Sequence, residues 1–224
     1  LREQNLMAQP FDAARLELQG NAVPVAERIA FNMSNRRGAF SASLNGVLVY
    51  LSGRLFIGRG PLVWFDRSGE QTGPSFGADC QLPRLSPDGK RVAVDSLDQA
   101  GNYDVWTHDL ARGIATRFTV DLARDTSPIW SPQGDRIVFA SNRKDGVDLY
   151  QKDSNGARSE SPILESPGAK IPTDWSPDGR LVAYTYPDPA GKNKQRVWLL
   201  PLFGDRKPFP FADTEFTENE ARFC

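Results

Sequence analysis

SPDGKRVAV at residues 86–94, SPQGDRIVF at 131–139 and SPDGRLVAY at 176–184 are three versions of one phrase. Their serines, Ser86, Ser131 and Ser176, stand 45 residues apart at each step, a period typical of stacked repeat units. A catalytic residue is rarely needed in triplicate, so the recurrence points to architecture. Within the phrase, proline presets φ for a turn, Asp or Gln follows, and Gly accepts the positive φ that closes the turn without a Cβ clash. SPxG therefore reads as a hairpin loop.

The flanks supply the strands. LPRL at 82–85, SPIW at 127–130 and PTDW at 172–175 precede the turns and place the large apolar Leu85, Trp130 and Trp175 directly before the serine, where they are suited to packing between layers. RVAV, RIVF and LVAY follow, short runs rich in β-branched and aromatic residues, as expected of strands buried on both faces. About twenty residues after each serine comes a third extended piece: YDVWTHDL from Tyr103, VDLYQKDS from Val147 and QRVWLLPL from Gln195, with Trp106, Tyr150 and Trp198 in matching places. The turn segments ARG, SNG and FGD then lead into ATRFTV, ESPILE and RKPFPF. Four antiparallel strands in a 45-residue repeat predict an all-β chain built of β-propeller blades.

Weaker copies extend the pattern. SLNGVLVY from Ser43, followed by PLVWFDRSG with Trp64 at the aromatic position, reads as another blade; NLMAQPFD and RLELQGNAVPVAE read as the last two strands of an earlier one. NEARFC aligns with an innermost strand, with Phe223 in the Leu85/Trp130/Trp175 position and Cys224 where a serine would begin a new turn. The expectation is a single propeller domain over 1–224, with a partial blade at 1–36, blades at 37–78, 79–123, 124–168 and 169–214, and the start of a further blade at 215–224. Such flanks predict an incomplete part of a larger propeller.

Bulk properties remove several functions. The 224 residues are 39% hydrophobic and 25% charged, enough to build a core, and the net charge of −1 comes without a basic stripe that would neutralise phosphates. Nucleic acid is not an expected partner. No apolar run approaches the roughly 18–20 residues that span a bilayer, so no membrane insertion of this segment is expected. The opening LREQNLMAQPFD has neither the basic end nor the apolar middle of a secretory signal. Cys80 and Cys224 are too few for a disulfide scaffold and lack metal-ligand spacing.

Catalytic readings find little support. There is no Gly-rich nucleotide loop, VAIK-like strand, HRD or DFG, so this segment carries no kinase machinery. GPSFG at 73–77 formally fits G-x-S-x-G, with Ser75 as nucleophile, His108 further on, and Asp95, Asp98 and Asp104 between. A nucleophile elbow needs a strand before it and a helix after it, whereas ADCQLPRLSP has two prolines and no helical period. The segment reads as a loop between strands. Strand alternation predicts an exposed His108, and a lone histidine without a His/Cys/carboxylate cluster makes no zinc site. Asp104 and Asp148, at matched repeat positions, are expected to hydrogen-bond neighbouring turns. Trp64, Trp106, Tyr150 and Trp198 are expected between blades. Asn32-Met33-Ser34 is a formal glycosylation acceptor and nothing more. No residue is assigned a catalytic, cofactor or metal role.

Repeated positions serve the scaffold, so function is expected where blades differ: on the loops and at the mouth of the channel, where a protein or small ligand would dock. The unequal loops are LDQAGN at 97–102, SNRKDG at 141–146 and YPDPAGKNKQ at 186–195, the last carrying Lys192 and Lys194.

Taken together, LMAQPFDAARLELQGNAVPVAE, NGVLVY, LVWFDRSGE, LSPDGKRVAV, SPIWSPQGDRIVFASNR, DLYQKDSNG and PTDWSPDGRLVAY resemble the WD-like, PD-repeat propellers of the TolB type. More narrowly, they resemble the propeller regions attached to the C-terminal side of bacterial serine/threonine protein kinases. That resemblance implies a non-catalytic sensor or interaction platform in a larger signalling protein, on the extracytoplasmic side of a membrane and tethered to a span outside this segment. The alternatives it leaves are a TolB-like periplasmic interaction propeller and the gating propeller of a prolyl-oligopeptidase-type hydrolase. Gln133 in place of Asp, and SLNG without proline, depart from the pattern but keep turn-compatible residues.

Overall fold

The innermost strand of each repeat is bent where its sequence requires it. Leu82 and Ser127, 45 residues apart and each followed by proline, have left-handed φ values of 45° and 56°. The strand containing Ser127 shifts register between Thr126 and Ile129, and the next repeat shifts between Pro172 and Asp174. A proline inside a strand has no N–H for the ladder, and a bulge is where a sheet tolerates it.

The structure, a computed structural model, describes residues 5–12, 15, 17–29, 31–32, 37–38, 40–42, 48–51, 60–66, 70–73, 75–98, 100–187, 194–211, 218 and 221–223. Every described element is a strand, and no helix among the described residues is long and apolar enough to cross a membrane. The chain divides into two compact units, Leu1–Ala42 with Gly46–Pro83, and Ser43–Asn45 with Arg84–Cys224.

In the first unit the strands are β1 (Leu6–Ala8), β2 (Phe11–Asp12), β3 (Glu17–Leu18), β4 (Val23–Ala26), β5 (Phe31–Asn32), β6 (Arg37–Gly38), β7 (Phe40–Ala42), β8 (Leu48–Leu51), β9 (Gly60–Trp64) and the start of β10 (Phe76–Leu85). β1 pairs antiparallel with β4, and β7, β8, β9 and the beginning of β10 follow one another in an antiparallel sheet. Leu6, Ala26, Ile29 and Tyr50 form its core, with Phe65 stacked on Tyr50 at 4.5 Å. The SLNG turn at 43–46 lies outside the described residues.

The second unit contains β11 (Arg91–Leu97), β12 (Tyr103–Asp109), β13 (Ile114–Arg117), β14 (Asp125–Trp130), β15 (Arg136–Ser141), β16 (Asp148–Asp153), β17 (Ser161–Leu164), β18 (Ile171–Trp175), β19 (Leu181–Pro187), β20 (Gln195–Pro201) and β21 (Phe209–Pro210). β14-β15-β16-β17 and β18-β19-β20-β21 are four-stranded antiparallel sheets in sequence order, and β11-β12-β13 continue outward from β10 in the same way. This is the blade of a β-propeller. Between consecutive blades lie two apolar layers: Ala93, Val105, Phe118, Ile137, Phe139 and Tyr150 in one, and Ile129, Val138, Leu149, Val182, Tyr184 and Leu200 in the next. Each fully buried large side chain contributes about 1.5–3 kcal/mol over its exposed state, so the blades are held together by these layers. Trp130 and Trp175 sit in them as the position before each serine predicts. Tyr150 is buried there and Trp198, half-buried, packs against the second layer; Trp64 and Trp106 are half-buried as well.

Candidate functional site

The SPxG turns are knots built from one serine each. The Ser86, Ser131 and Ser176 hydroxyls are buried and accept the backbone N–H of Arg91 (2.9 Å), Arg136 (3.0 Å) and Leu181 (2.8 Å). Each also donates to a carboxylate at 2.6 Å: Ser86 to Asp88, Ser176 to Asp178, and Ser131 to Asp135. Gln133 cannot accept as a carboxylate does, and Asp135, two positions on, takes over. The serine hydrogen bond is the chief reason that the Asp88 and Asp178 carboxyls are held below their usual range. The glycines of the three turns have φ of 69°, 72° and 76°.

Neighbouring turns stack. A Cβ on Gly134 would lie 3.5 Å from Pro87 of the preceding turn, and one on Gly179 would lie 3.7 Å from Pro132. The arginine five residues after the serine stacks on the next blade's tryptophan: Arg91 over Trp130 at 4.7 Å and Arg136 over Trp175 at 5.2 Å. Arg91 also donates to the Ser154 and Gly134 carbonyls at 3.1 and 3.2 Å, and the Trp130 indole N–H donates back to the Arg84 carbonyl at 2.9 Å. Partly exposed guanidinium–indole pairs of this kind contribute on the order of 0.5–1 kcal/mol. The proline, glycine and arginine of the repeat are thus fasteners between blades.

The polar residues singled out in the sequence take structural places. Asp104 pairs with the Arg117 guanidinium at 2.5 Å and accepts from the Thr119 hydroxyl at 3.3 Å. Asp148 accepts from Lys170 Nζ at 2.8 Å and from the Ser166 N–H at 3.3 Å. Both carboxylates therefore hold the outer strand or the link that follows it, with a cation as well as the expected hydrogen bonds. Neither Arg117 nor Lys170 recurs at one repeat position, so neither partner is visible as a periodic signal. Among the described residues no cluster of three His, Cys, Asp or Glu could hold a metal ion.

Ser75 is exposed and leads straight into strand β10, so the geometry around it is a loop entering a strand. His108 corrects the sequence expectation: it is 5% exposed. On β12 it pairs with Val92 on one side and Ala115 on the other, and β12 buries residues of both faces, Asp104 and Val105 among them, so alternation does not sort inside from outside there. Burial depresses its proton affinity below the ordinary 6.5. The unfolded chain then takes up a proton that the folded chain resists. Stability is therefore full above the unfolded value of about 6.5 and is lost as pH falls through it. Urea midpoints at pH 7 and pH 5 should differ more for the native protein than for His108→Gln. Parallel pH curves for the two proteins would remove His108 as the titrating group.

Two of the variable loops brace links between blades. Asp98 accepts the Asn102 N–H at 2.8 Å, and the Asn102 amide reaches the Asp121 and Ala123 carbonyls at 3.5 and 3.1 Å. In the second loop, Asn142 accepts the Arg124 N–H at 2.7 Å, Lys144 pairs with Glu165 at 2.6 Å, and Arg143 is buried in carboxylates. Of the third loop, residues 188–193, Lys192 included, lie outside the described residues, as do Met33, Ser34 and Cys224; Lys194 is half-buried.

An open site lies at the other end of the same sheets. In an antiparallel blade the first and third hairpins share one end and the second shares the other with the link to the next blade. At the SPxG end, a cavity of about 430 Å³ opens between β13 with its hairpin and the end of β16 with the Ser154–Gly156 turn. Arg91, Arg112, Arg117 and Lys152 line it against one carboxylate, Asp109, with Ile114, Phe118 and Val120 as its apolar part. The sequence reading did not find it, because its residues come from three separated segments.

Stacked four-stranded blades, fastened turn to turn by SPxG, define a repeat-built β-propeller. The chain belongs to the TolB beta propeller domain family, PD40, which matches residues 67–199. It is 32% identical over 144 residues to the Tol-Pal system protein TolB of Alcanivorax borkumensis, covering 63% of this chain and 32% of that protein. It is 28% identical over 109 residues to the uncharacterized peptidase YuxL of Bacillus subtilis, covering 46% of this chain and 16% of that protein. The chain thus spans about a third or less of these curated relatives. The crystal structure of TolB from Acinetobacter baumannii has the same fold, with a TM-score of 0.67, 20% identity, and coverage of 88% of this chain and 47% of that one.

Proposed function

We propose that this chain is a non-catalytic binding module, the sensor or protein-interaction part of a larger bacterial signalling protein of the kind that carries a serine/threonine kinase. The observation that carries the reading is the fate of the recurrent polar residues. The serines, arginines and carboxylates that could have formed a reaction centre are engaged in turns and blade contacts, while an open, charged and partly apolar groove is left on the surface. The likeness to TolB, a protein of the Tol-Pal system by its name, supports an interaction role. A second reading, the gating propeller of a hydrolase, is favoured by the likeness to the peptidase YuxL; its reaction centre would then lie outside these residues.

Purified residues 1–224 should show no peptidase or esterase turnover on peptide p-nitroanilides and p-nitrophenyl esters, and Ser75→Ala should change nothing. Turnover that Ser75→Ala abolishes would overturn the non-catalytic reading. Cross-linking in the whole natural protein should join this module to a separate protein. Cross-links only to a hydrolase domain of the same chain would favour the gating reading.

A further inference from the structure

We infer that the outer edge of β13 and the cavity beside it form a docking site for an extended, acidic peptide segment of a partner protein, added as a fifth strand; this rests on the binding-module reading above. The edge is open in a specific way. The Phe118 N–H donates to the Val105 carbonyl at 2.8 Å, so that pair and, by the antiparallel alternation, the pairs Thr107–Thr116 and Asp109–Ile114 hydrogen-bond inward. The N–H and C=O of Ala115 and Arg117 therefore point away from the sheet. All four β13 residues are exposed.

The other two outer strands of this unit are blunted. β17 carries Pro162 and β21 carries Pro210, each removing a donor from its row, as exposed edges in soluble proteins commonly do. β13, IATR, has no proline and a strand-favouring Ile and Thr. It keeps the complete donor and acceptor pattern that an added strand needs.

The chemistry of the occupant follows from the lining. Arg117 is engaged with Asp104, and Lys152 pairs with Glu160 at 3.4 Å. Arg91 makes its hydrogen bonds to the neutral Gly134 and Ser154, and Arg112 is exposed at the rim. The single lining carboxylate, Asp109, already accepts the Ala111 and Arg112 N–H groups at 3.0 and 2.9 Å. With Arg117 and Lys152 paired, Arg91 and Arg112 still outnumber the one lining carboxylate, so the cavity is net positive and carboxylates on alternate residues of an added strand complement it. Ile114 at 54% exposure and Val120 at 67% offer apolar contact to intervening or flanking side chains. A basic strand would meet the same cations with repulsion.

The test uses residues 1–224 and two labelled probes, one peptide alternating glutamate and valine and one alternating lysine and valine, read by fluorescence anisotropy and by amide NMR shifts. The acidic probe is expected to bind at least tenfold more tightly than the basic one, to weaken with added salt, and to perturb the amides of Ala115 and Arg117 most. Ala115→Pro removes an outward donor without touching the β12 ladder, and Arg112→Glu reverses a rim charge; each should weaken binding about tenfold while leaving the thermal midpoint near that of the native protein. Equal binding of both probes, an unchanged affinity in both variants, or shifts centred on the innermost strands would overturn the edge site. Those results would leave the binding-module reading standing, since that reading fails only by Ser75-dependent turnover or by cross-links confined to a hydrolase of the same chain.

Discussion

Arg143→Met is expected to lower the stability of the second unit by about 3–5 kcal/mol, the cost of stranding buried charge. Arg143 follows β15 and binds Asp125 at 3.0 Å with one guanidinium nitrogen and Glu160 at 2.7 Å with another, while its Nε donates to Ser141 at 2.8 Å. Its guanidinium carbon lies 4.4 Å over the Tyr150 ring. Asp125 is fully buried at the start of β14, and burial already pushes its carboxyl up against the opposing pull of Arg143 and Ser141. Without the arginine the carboxylate must ionise unpaired, take up a proton or drag water inside. Since domains of this size are stable by only about 5–15 kcal/mol, the variant should melt near or below physiological temperature. Urea unfolding followed by tryptophan fluorescence reads the loss. Arg143→Met combined with Asp125→Asn should recover part of it, because the stranded charge is then gone. Strictly additive losses would show that the pair is not coupled.

Lys170→Met should cost a similar amount, about 3–5 kcal/mol. The Lys170 side chain is fully buried, and its ammonium is held by Asp148 and the Gly168 carbonyl, both at 2.8 Å, by the Val147 carbonyl at 3.4 Å, and by the Ser166 carbonyl. It stands where a bound cation would stand, organising the link from β17 to β18 around a single charge. Methionine keeps the stem's volume and removes the charge, so the loss measures electrostatics and hydrogen bonds rather than a cavity. Hydrogen exchange should show the amides of 166–170 opening before those of β19. Uniform exchange across both segments, or a loss below about 1 kcal/mol, the value of a surface pair, would show that the ammonium is not needed. The same loop shows why Gly168 has to be glycine: φ is 89°, and a Cβ would approach the Tyr186 ring to 2.9 Å.

Most of the fold was legible because it depends on local chemistry repeated at a fixed step. The turn needs Ser, Pro and Gly at set offsets, and the strands need short β-branched and aromatic runs; both are written in consecutive residues. The position before each serine also identified Trp130 and Trp175 as inter-blade residues. His108 was misread for a reason of tertiary structure: alternation separates faces only where one side of a strand meets water, and β12 buries residues on both. The candidate site was not legible at all. Arg91 and Arg112 lie at separated positions of one repeat and Lys152 on the next, and nothing in their spacing shows that two hairpins and an outer strand bring them around one cavity.

From its sequence alone, then, this chain determined its repeat, its blade order and the backbone role of SPxG, because those rest on φ preferences and strand periodicity within a few residues. Only the tertiary structure decided that Asp135 replaces Gln133 in one knot, that Lys170 answers Asp148, and that β13 keeps an open edge beside a net positive cavity. Each of these depends on which side chains meet across blades or loops. Such meetings are set by packing distance and not by position in the chain.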